Sequence, residues 1–114
     1  MSNPISPNHY RDRHPGWPLE CIEYARRMPY AQAAAFKYAW RAGRKDNARQ
    51  DWSKAIWYLH DALDHGPIRR LTDAEDQRRY WRAPTPQIRA LALIYCGQLH
   101  EALAEIENIV KEMP

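Results

Sequence analysis

The sequence predicts an all-α protein of about six helices: an N-terminal helical core with an extended N-terminal arm, followed by a C-terminal helical hairpin. Apolar residues recur at intervals of three and four in several segments, and no segment of useful length alternates with a period of two. Glycine and proline fall between these segments, where they end or begin helices. The 114 residues suffice for one hydrophobic core.

Three helices are predicted in the first half of the chain. Residues 1–17 hold three prolines and a glycine, which indicates an extended arm with turns. Helical spacing then runs over residues 18–28 and, after a proline that restarts it, over residues 29–43. A third helix is capped by Asp46 or Asn47 and ends before Gly66 and Pro67.

Three more helices are predicted in the second half. A capping-box pattern at residues 72–75 opens a short helix through residue 81. Thr85 followed by Pro86 is typical of a cap and a first helical position, and the helix that follows ends at Gly97. The last helix begins at Leu99 and carries an acidic exterior.

Composition and motifs exclude several classes of protein. The formal charge is +3, and the content of 45% apolar and 27% charged residues is typical of a globular chain. We expect a cytoplasmic protein without membrane partners, because no uncharged stretch is long enough to span a bilayer and no secretion signal is evident. The P-loop, GxGxxG, GxSxG and HExxH motifs are missing from the sequence. Cys21 and Cys96 lack metal-ligand spacing, so we expect inert thiols, no zinc and no haem.

The basic residues are concentrated in one strip. Residues 1–66 contain ten basic and seven acidic residues, whereas residues 67–114 contain seven of each. Lys37, Arg41, Arg44 and Lys45 fall at i, i+4, i+7 and i+8, a spacing that places them on one side of a helix and its exit turn. Four cations there suit a polyphosphate, although basic strips are more often solvated faces.

Other candidate residues flank this strip. Asp51 and Lys54 open the next helix, and Asp51 is either a Mg²⁺ ligand or a structural partner of Arg41 or Arg44. Gly43 lets the backbone approach a ligand closely. In the arm, the adjacent His9 and Tyr10 suit stacking on a base or bonding to a phosphate.

Four motifs in order and spacing resemble a known family. They are Pro7-x-His9-Tyr10, Glu20-Cys21-Ile22, the run from Phe36-Lys37-Tyr38 to Arg44-Lys45, and Asp51-x-x-Lys54-Ala55-Ile56-Trp57-Tyr58-Leu59. Over residues 5–65 the chain resembles the small phage and prophage SaV-like family, a domain of unknown function in which some members are described as phage nucleotide kinases. The resemblance implies a nucleotide-handling helical domain over residues 1–66. Residues 67–114 have no counterpart, and we expect a helical extension packed on that domain.

The resemblance also implies a set of site residues, which agrees with the basic strip. As a phage nucleoside monophosphate kinase without a P-loop, the protein would use Mg²⁺ with ATP. Its site residues would be Lys37, Arg41 and Asp51 as catalytic groups, Asp51 also as the metal ligand, and His9, Tyr10, Gly43, Arg44, Lys45 and Lys54 as binding groups.

Other functions are open. The main alternative is a non-catalytic phage anti-defence protein that sequesters a nucleotide signal or blocks a host protein. An all-α pyrophosphohydrolase is disfavoured because the first block lacks clustered acids. Nucleic acid is a less favoured partner than a nucleotide, because a single basic strip is only a modest indication of nucleic-acid binding. We expect a homo-oligomer, because an aromatic-rich chain of this size leaves apolar surface for self-association.

Overall fold

Five helices make up the part of the chain that the structure, a computed structural model, describes: residues 13–44, 47–71 and 82–114. They are α1 (Cys21–Ala25), α2 (Tyr30–Arg41), α3 (Ala48–His65), α4 (Pro86–Cys96) and α5 (Leu99–Lys111). Within those ranges no strand forms, and the predicted all-α class is confirmed. The helix predicted over residues 72–81 lies outside the described residues.

Predicted side-chain caps begin two of the five described helices. Asn47 caps α3, its side-chain oxygen accepting a hydrogen bond of 2.9 Å from the Gln50 amide. Thr85 caps α4 by accepting from the Ile88 amide at 3.2 Å, and proline follows it at the first helical position. Local sequence chemistry therefore defines where these two helices begin.

The first helix is shorter than predicted. It begins at Cys21 instead of residue 18, and the preceding Glu20 has an extended backbone (φ −70°, ψ 155°). The Leu19 amide donates to the Tyr24 hydroxyl at 3.2 Å, so it is satisfied without a helical turn. The prediction of a helix from residue 18 is wrong for this reason.

Helix α2 is the centre of the packing. It contacts α1, α3 and α4, while α5 packs against α3 and α4. Small residues on α2, including Ala35 and Ala39, are completely buried and permit close approach of the neighbouring helices. One hydrophobic core thus contains side chains from all five helices.

Large aromatic side chains fill the middle of this core. Trp17 meets Tyr24 edge-on at 4.8 Å and Tyr95 at 5.6 Å between ring centroids, and Phe36 and Trp40 close the cluster. Trp17 is only 1% exposed, so the end of the predicted arm is a turn packed into the core. Edge-on aromatic pairs of this kind stabilise the fold in addition to the stabilisation that comes from burying their apolar area.

A buried amide joins the segment after α3 to the core. The Gln32 side chain donates to the carbonyls of Arg69 at 3.0 Å and Ile94 at 2.7 Å, and it accepts from the Arg69 amide at 2.8 Å. These bonds satisfy the amide and carbonyl of Arg69, which lies outside any helix, and they add a second donor to the Ile94 carbonyl, which also accepts from the Gly97 amide at 3.0 Å. The described segment after α3 is therefore tied to α2 at Arg69.

None of the described helices has both the length and the apolar character needed to cross a bilayer.

Candidate functional site

A pocket of about 300 Å³ opens where α1, α2 and α3 meet. We call it the aromatic–basic pocket, and it is lined by Ile22, Ala25, Arg26, Tyr30, Ala33, Ala34, Lys37, Tyr38 and Tyr58. Ala33 and Ala34 of α2, with Ala25 of α1, have small side chains that leave the space open between larger neighbours. The pocket thus arises from a contrast in side-chain size along α2.

Three tyrosine rings form its aromatic part. Tyr38 of α2 and Tyr58 of α3 are stacked, with planes 10° apart and centroids 5.8 Å apart. Tyr30 lies edge-on to Tyr58 at 6.1 Å and is 77% exposed. A hydrogen bond with Tyr30 raises the pKa of Tyr58. The three tyrosines therefore present both apolar ring surface and hydroxyl groups to a ligand in the pocket.

Two lysines stand at this aromatic surface. Lys37 lines the pocket one turn from Ala33 on α2 and is exposed. The Lys54 ammonium lies 5.3 Å from the centroid of the Tyr38 ring, within range of a cation–π interaction. Arg26 adds a third cation and is paired with exposed Glu23 at 3.0 Å, a kind of contact that contributes little energy.

Arg41 is directed away from this surface. Its Nε lies 3.5 Å from an Asp51 carboxylate oxygen, with the Asp51 side chain 4% exposed and the Arg41 side chain 24% exposed. Of the two roles that the sequence left open for Asp51, this geometry is that of a structural partner. The pair joins the end of α2 to the first turn of α3.

A magnesium site at Asp51 does not fit this arrangement, because the carboxylate is buried and already faces a guanidinium. Residues 13–44, 47–71 and 82–114 contain no group of three His, Cys, Asp or Glu side chains that could hold a metal ion. The use of Mg²⁺ with ATP stays a prediction from the resemblance.

Arg44 and Gly43 lie at the exit turn of α2. Arg44 donates to the Arg13 carbonyl at 3.0 Å, and its guanidinium lies 5.9 Å from the centroid of the Trp40 ring. Gly43 has φ +85° with nothing within 4 Å of the position a Cβ would take. The basic strip therefore divides: Lys37 faces the pocket, Arg41 faces Asp51, and Arg44 holds the segment before α1.

Three predicted site residues, His9, Tyr10 and Lys45, lie outside the described residues. Their assignment stays a prediction.

Both cysteines are buried. Burial raises the pKa of the Cys21 thiol to about 12, although the charges of Lys37 and Arg44 oppose that rise. A thiol with so high a pKa is protonated at neutral pH and is a poor nucleophile.

Sequence reasoning missed the pocket's tyrosines, although a signal was present. Tyr30, Ala34, Lys37 and Tyr38 fall at i, i+4, i+7 and i+8, and Lys54 precedes Tyr58 by four. The basic strip was defined by its charged residues alone, so the tyrosines at neighbouring positions were left out of the predicted site.

His14 is a second residue that the sequence did not single out. It is buried, its Nε2 lies 3.0 Å from the Trp40 carbonyl oxygen, and its ring meets the Trp40 ring edge-on at 4.7 Å. Burial lowers its pKa below the ordinary 6.5, and the nearby Arg44 charge acts in the same direction.

His14 should make stability fall in mild acid. The folded state binds the His14 proton less well than the unfolded state does. The contribution of His14 to the free energy of unfolding is therefore complete above pH 6.5, and it declines as the pH falls below that value, by at most about 1.4 kcal/mol per pH unit. Urea unfolding between pH 7.5 and 5.5 measures the slope. His14→Gln, whose amide can donate to the same carbonyl, should flatten it, and exposed His100→Gln is the control. Equal slopes in all three proteins would contradict this role.

The fold and the pocket together define the class: a small all-α protein with a pocket of tyrosines, Lys37 and Arg26 between its first three described helices. Residues 5–60, just under half of the chain, match the model of a family described as a protein of unknown function (DUF3310). The match confirms one part of the resemblance: these residues are similar to an uncharacterised family, over nearly the range that the motifs indicated. No curated protein and no solved structure matches the chain.

Proposed function

We propose that this protein binds a nucleotide in the aromatic–basic pocket. The observation that carries the proposal is the meeting of three tyrosine rings with Lys37 and Arg26 in one pocket, with the Lys54 ammonium over the Tyr38 ring. All nine lining residues lie within the segment that matches the family model, so the pocket belongs to the matched domain. A nucleotide combines a planar base with phosphates. The tyrosine rings of the pocket complement the base, and its cations complement the phosphates.

The tyrosines supply the complement to the base. Base–aromatic stacking is worth about 1–3 kcal/mol per base and tolerates different bases. The volume of about 300 Å³ is at the small end of ligand pockets, which suits one nucleotide. The exposed ring of Tyr30 is the most accessible stacking surface in the pocket.

The cations supply the complement to the phosphate. Lys37 and Arg26 line the opening, and Lys54 lies against the Tyr38 ring beside it. Charge-assisted hydrogen bonds from such groups to phosphate oxygens are about twice as strong as neutral ones. Arg41 and Arg44 are occupied elsewhere and are not required by this arrangement.

Binding without turnover is the form of the proposal that the geometry favours. The nine residues that line the pocket include no carboxylate and no imidazole, and Asp51 is buried against Arg41. A non-catalytic binder agrees with the alternative that a phage-type protein sequesters a nucleotide signal in the host cytoplasm. Phosphoryl transfer, the kinase alternative, is tested in the same experiment.

The test is isothermal titration with 5′-mononucleotides of the four bases. Lys37→Ala should weaken binding about tenfold or more by removing a charged donor, and Tyr30→Ala should weaken it by a similar factor by removing a stacking ring. Both side chains are exposed, so we expect both variants to fold, which circular dichroism checks. Exposed Lys111 on α5 lines none of the described pockets, and Lys111→Ala is the control.

Unchanged affinity in both pocket variants would overturn the site, and no binding of any mononucleotide would overturn the function. A second arm adds Mg²⁺ and ATP and separates the products by ion-exchange chromatography. A diphosphate product that disappears in Arg41→Ala would establish the kinase alternative instead.

A further inference from the structure

Trp57 is an exposed aromatic residue that the pocket does not use. Its side chain is 62% exposed, and of the large apolar residues described only Tyr30 is more exposed. Trp57 directly precedes Tyr58 on α3, and the two ring centroids are 5.1 Å apart. A second aromatic surface therefore stands immediately outside the pocket.

The relative orientation of the two rings restricts what can lie on them. Their planes differ by 84°, so a base on each ring would be nearly perpendicular to the other. Bases in a duplex stay stacked and parallel, so they cannot lie on Trp57 and Tyr58 together. A single strand can splay its bases and stack them separately on aromatic side chains.

A cation stands on the same stretch of α3. Lys54 precedes Trp57 by three residues and Tyr58 by four, so all three lie on neighbouring positions of one helix face. The Lys54 ammonium is placed over Tyr38, a ring that lines the pocket. A phosphodiester that links a base at Trp57 to one in the pocket would lie near this charge, which complements it.

We propose that the ligand carries two adjacent nucleotides of a single strand, with one base in the aromatic–basic pocket, the second on Trp57, and the linking phosphodiester at Lys54. This rests on the proposed function and names its substrate class. A free linear dinucleotide and the end of a longer single strand share this chemistry.

Titration with 5′-phosphorylated mono-, di- and tetranucleotides of one base tests the proposal. The dinucleotide should bind about tenfold more tightly than the mononucleotide, because a second base stacks. Trp57→Ala should abolish that gain and leave mononucleotide affinity unchanged within twofold. His60→Ala, an exposed change on the same helix, is the control and should preserve the gain.

The tetranucleotide separates the two sources of ligand, because binding weaker than that of the dinucleotide would restrict the site to a free dinucleotide. An affinity equal to that of the dinucleotide indicates a site for two nucleotides, open to a free dinucleotide or to a strand end. A gain that continues to the tetranucleotide and survives in Trp57→Ala would overturn the two-nucleotide site. Tryptophan fluorescence gives an independent signal: the dinucleotide should quench it more than the mononucleotide does, and Trp57→Phe should remove the difference.

Failure of this inference is distinguishable from failure of the proposed function. Mononucleotide binding that depends on Lys37, with no gain for the dinucleotide, overturns the inference alone. An equal loss of mono- and dinucleotide affinity in Trp57→Ala also overturns it, because Trp57 would then belong to the first subsite. Absence of binding by every nucleotide overturns both.

Discussion

Replacing Gly97 with alanine should lower the free energy of unfolding by about 3 kcal/mol or more. Gly97 ends α4 with φ +83°, and a Cβ at this position would overlap the Arg69 carbonyl oxygen and lie 2.9 Å from the Arg70 Cα. A left-handed backbone alone costs a residue with a Cβ about 1–2 kcal/mol. The overlap adds to this because the obstructing atoms are backbone, which the Gln32 hydrogen bonds hold in place.

Gly43→Ala is the matched control for this effect. Gly43 has nearly the same φ, +85°, but nothing lies within 4 Å of its Cβ position. It should therefore show only the conformational cost of about 1–2 kcal/mol. Urea unfolding of both variants measures the difference. Equal losses would show that the approach of residues 69–70 to Gly97 contributes nothing to stability.

Replacing Asp51 with alanine should lower the free energy of unfolding by about 3 kcal/mol and leave nucleotide affinity unchanged. Removing one member of a buried ion pair leaves the other charge poorly compensated, and Asp51 is 3% exposed beside Arg41. Asp51→Asn, which keeps the shape, should be less destabilising and folded enough to titrate. Asp64→Ala, an exposed acid on the same helix, should change stability by less than about 0.5 kcal/mol.

The opposite pattern would restore the role that the sequence suggested for Asp51. An Asp51→Asn variant as stable as the natural protein, but without magnesium-dependent nucleotide binding, would identify a metal ligand. Stability and affinity measured on the same samples therefore separate the two roles.

Most of the helical framework was predictable because its signals are local. Asn47 and Thr85 cap the helices they precede, and Gly97 ends α4. Each acts through hydrogen bonds or backbone angles within a few residues, which the sequence displays directly. The start of α1 was misjudged because the contact that decides it, from the Leu19 amide to the Tyr24 hydroxyl, is made by a side chain five residues away.

The candidate site was predictable only in part. Lys37 and Lys54 were singled out from sequence; Lys37 lines the pocket, and Lys54 lies over the ring of Tyr38, which also lines it. Arg41 and Arg44 were grouped with Lys37 by helical spacing, yet their partners are Asp51 on another helix and the Arg13 carbonyl. Spacing along one helix predicts which residues lie on the same side of that helix. It does not predict which neighbouring helix or loop each of those residues contacts.

The sequence by itself determined the all-α class, the capped helix starts and the excess of positive charge in residues 1–66, because periodicity, capping and charge are properties of short segments. The tertiary structure alone decided that Trp17 and Trp40 build the core while Tyr30, Tyr58 and Trp57 reach a pocket or the surface. The physical reason is that burial and ion pairing depend on distances between helices. Those distances follow from how the whole core packs.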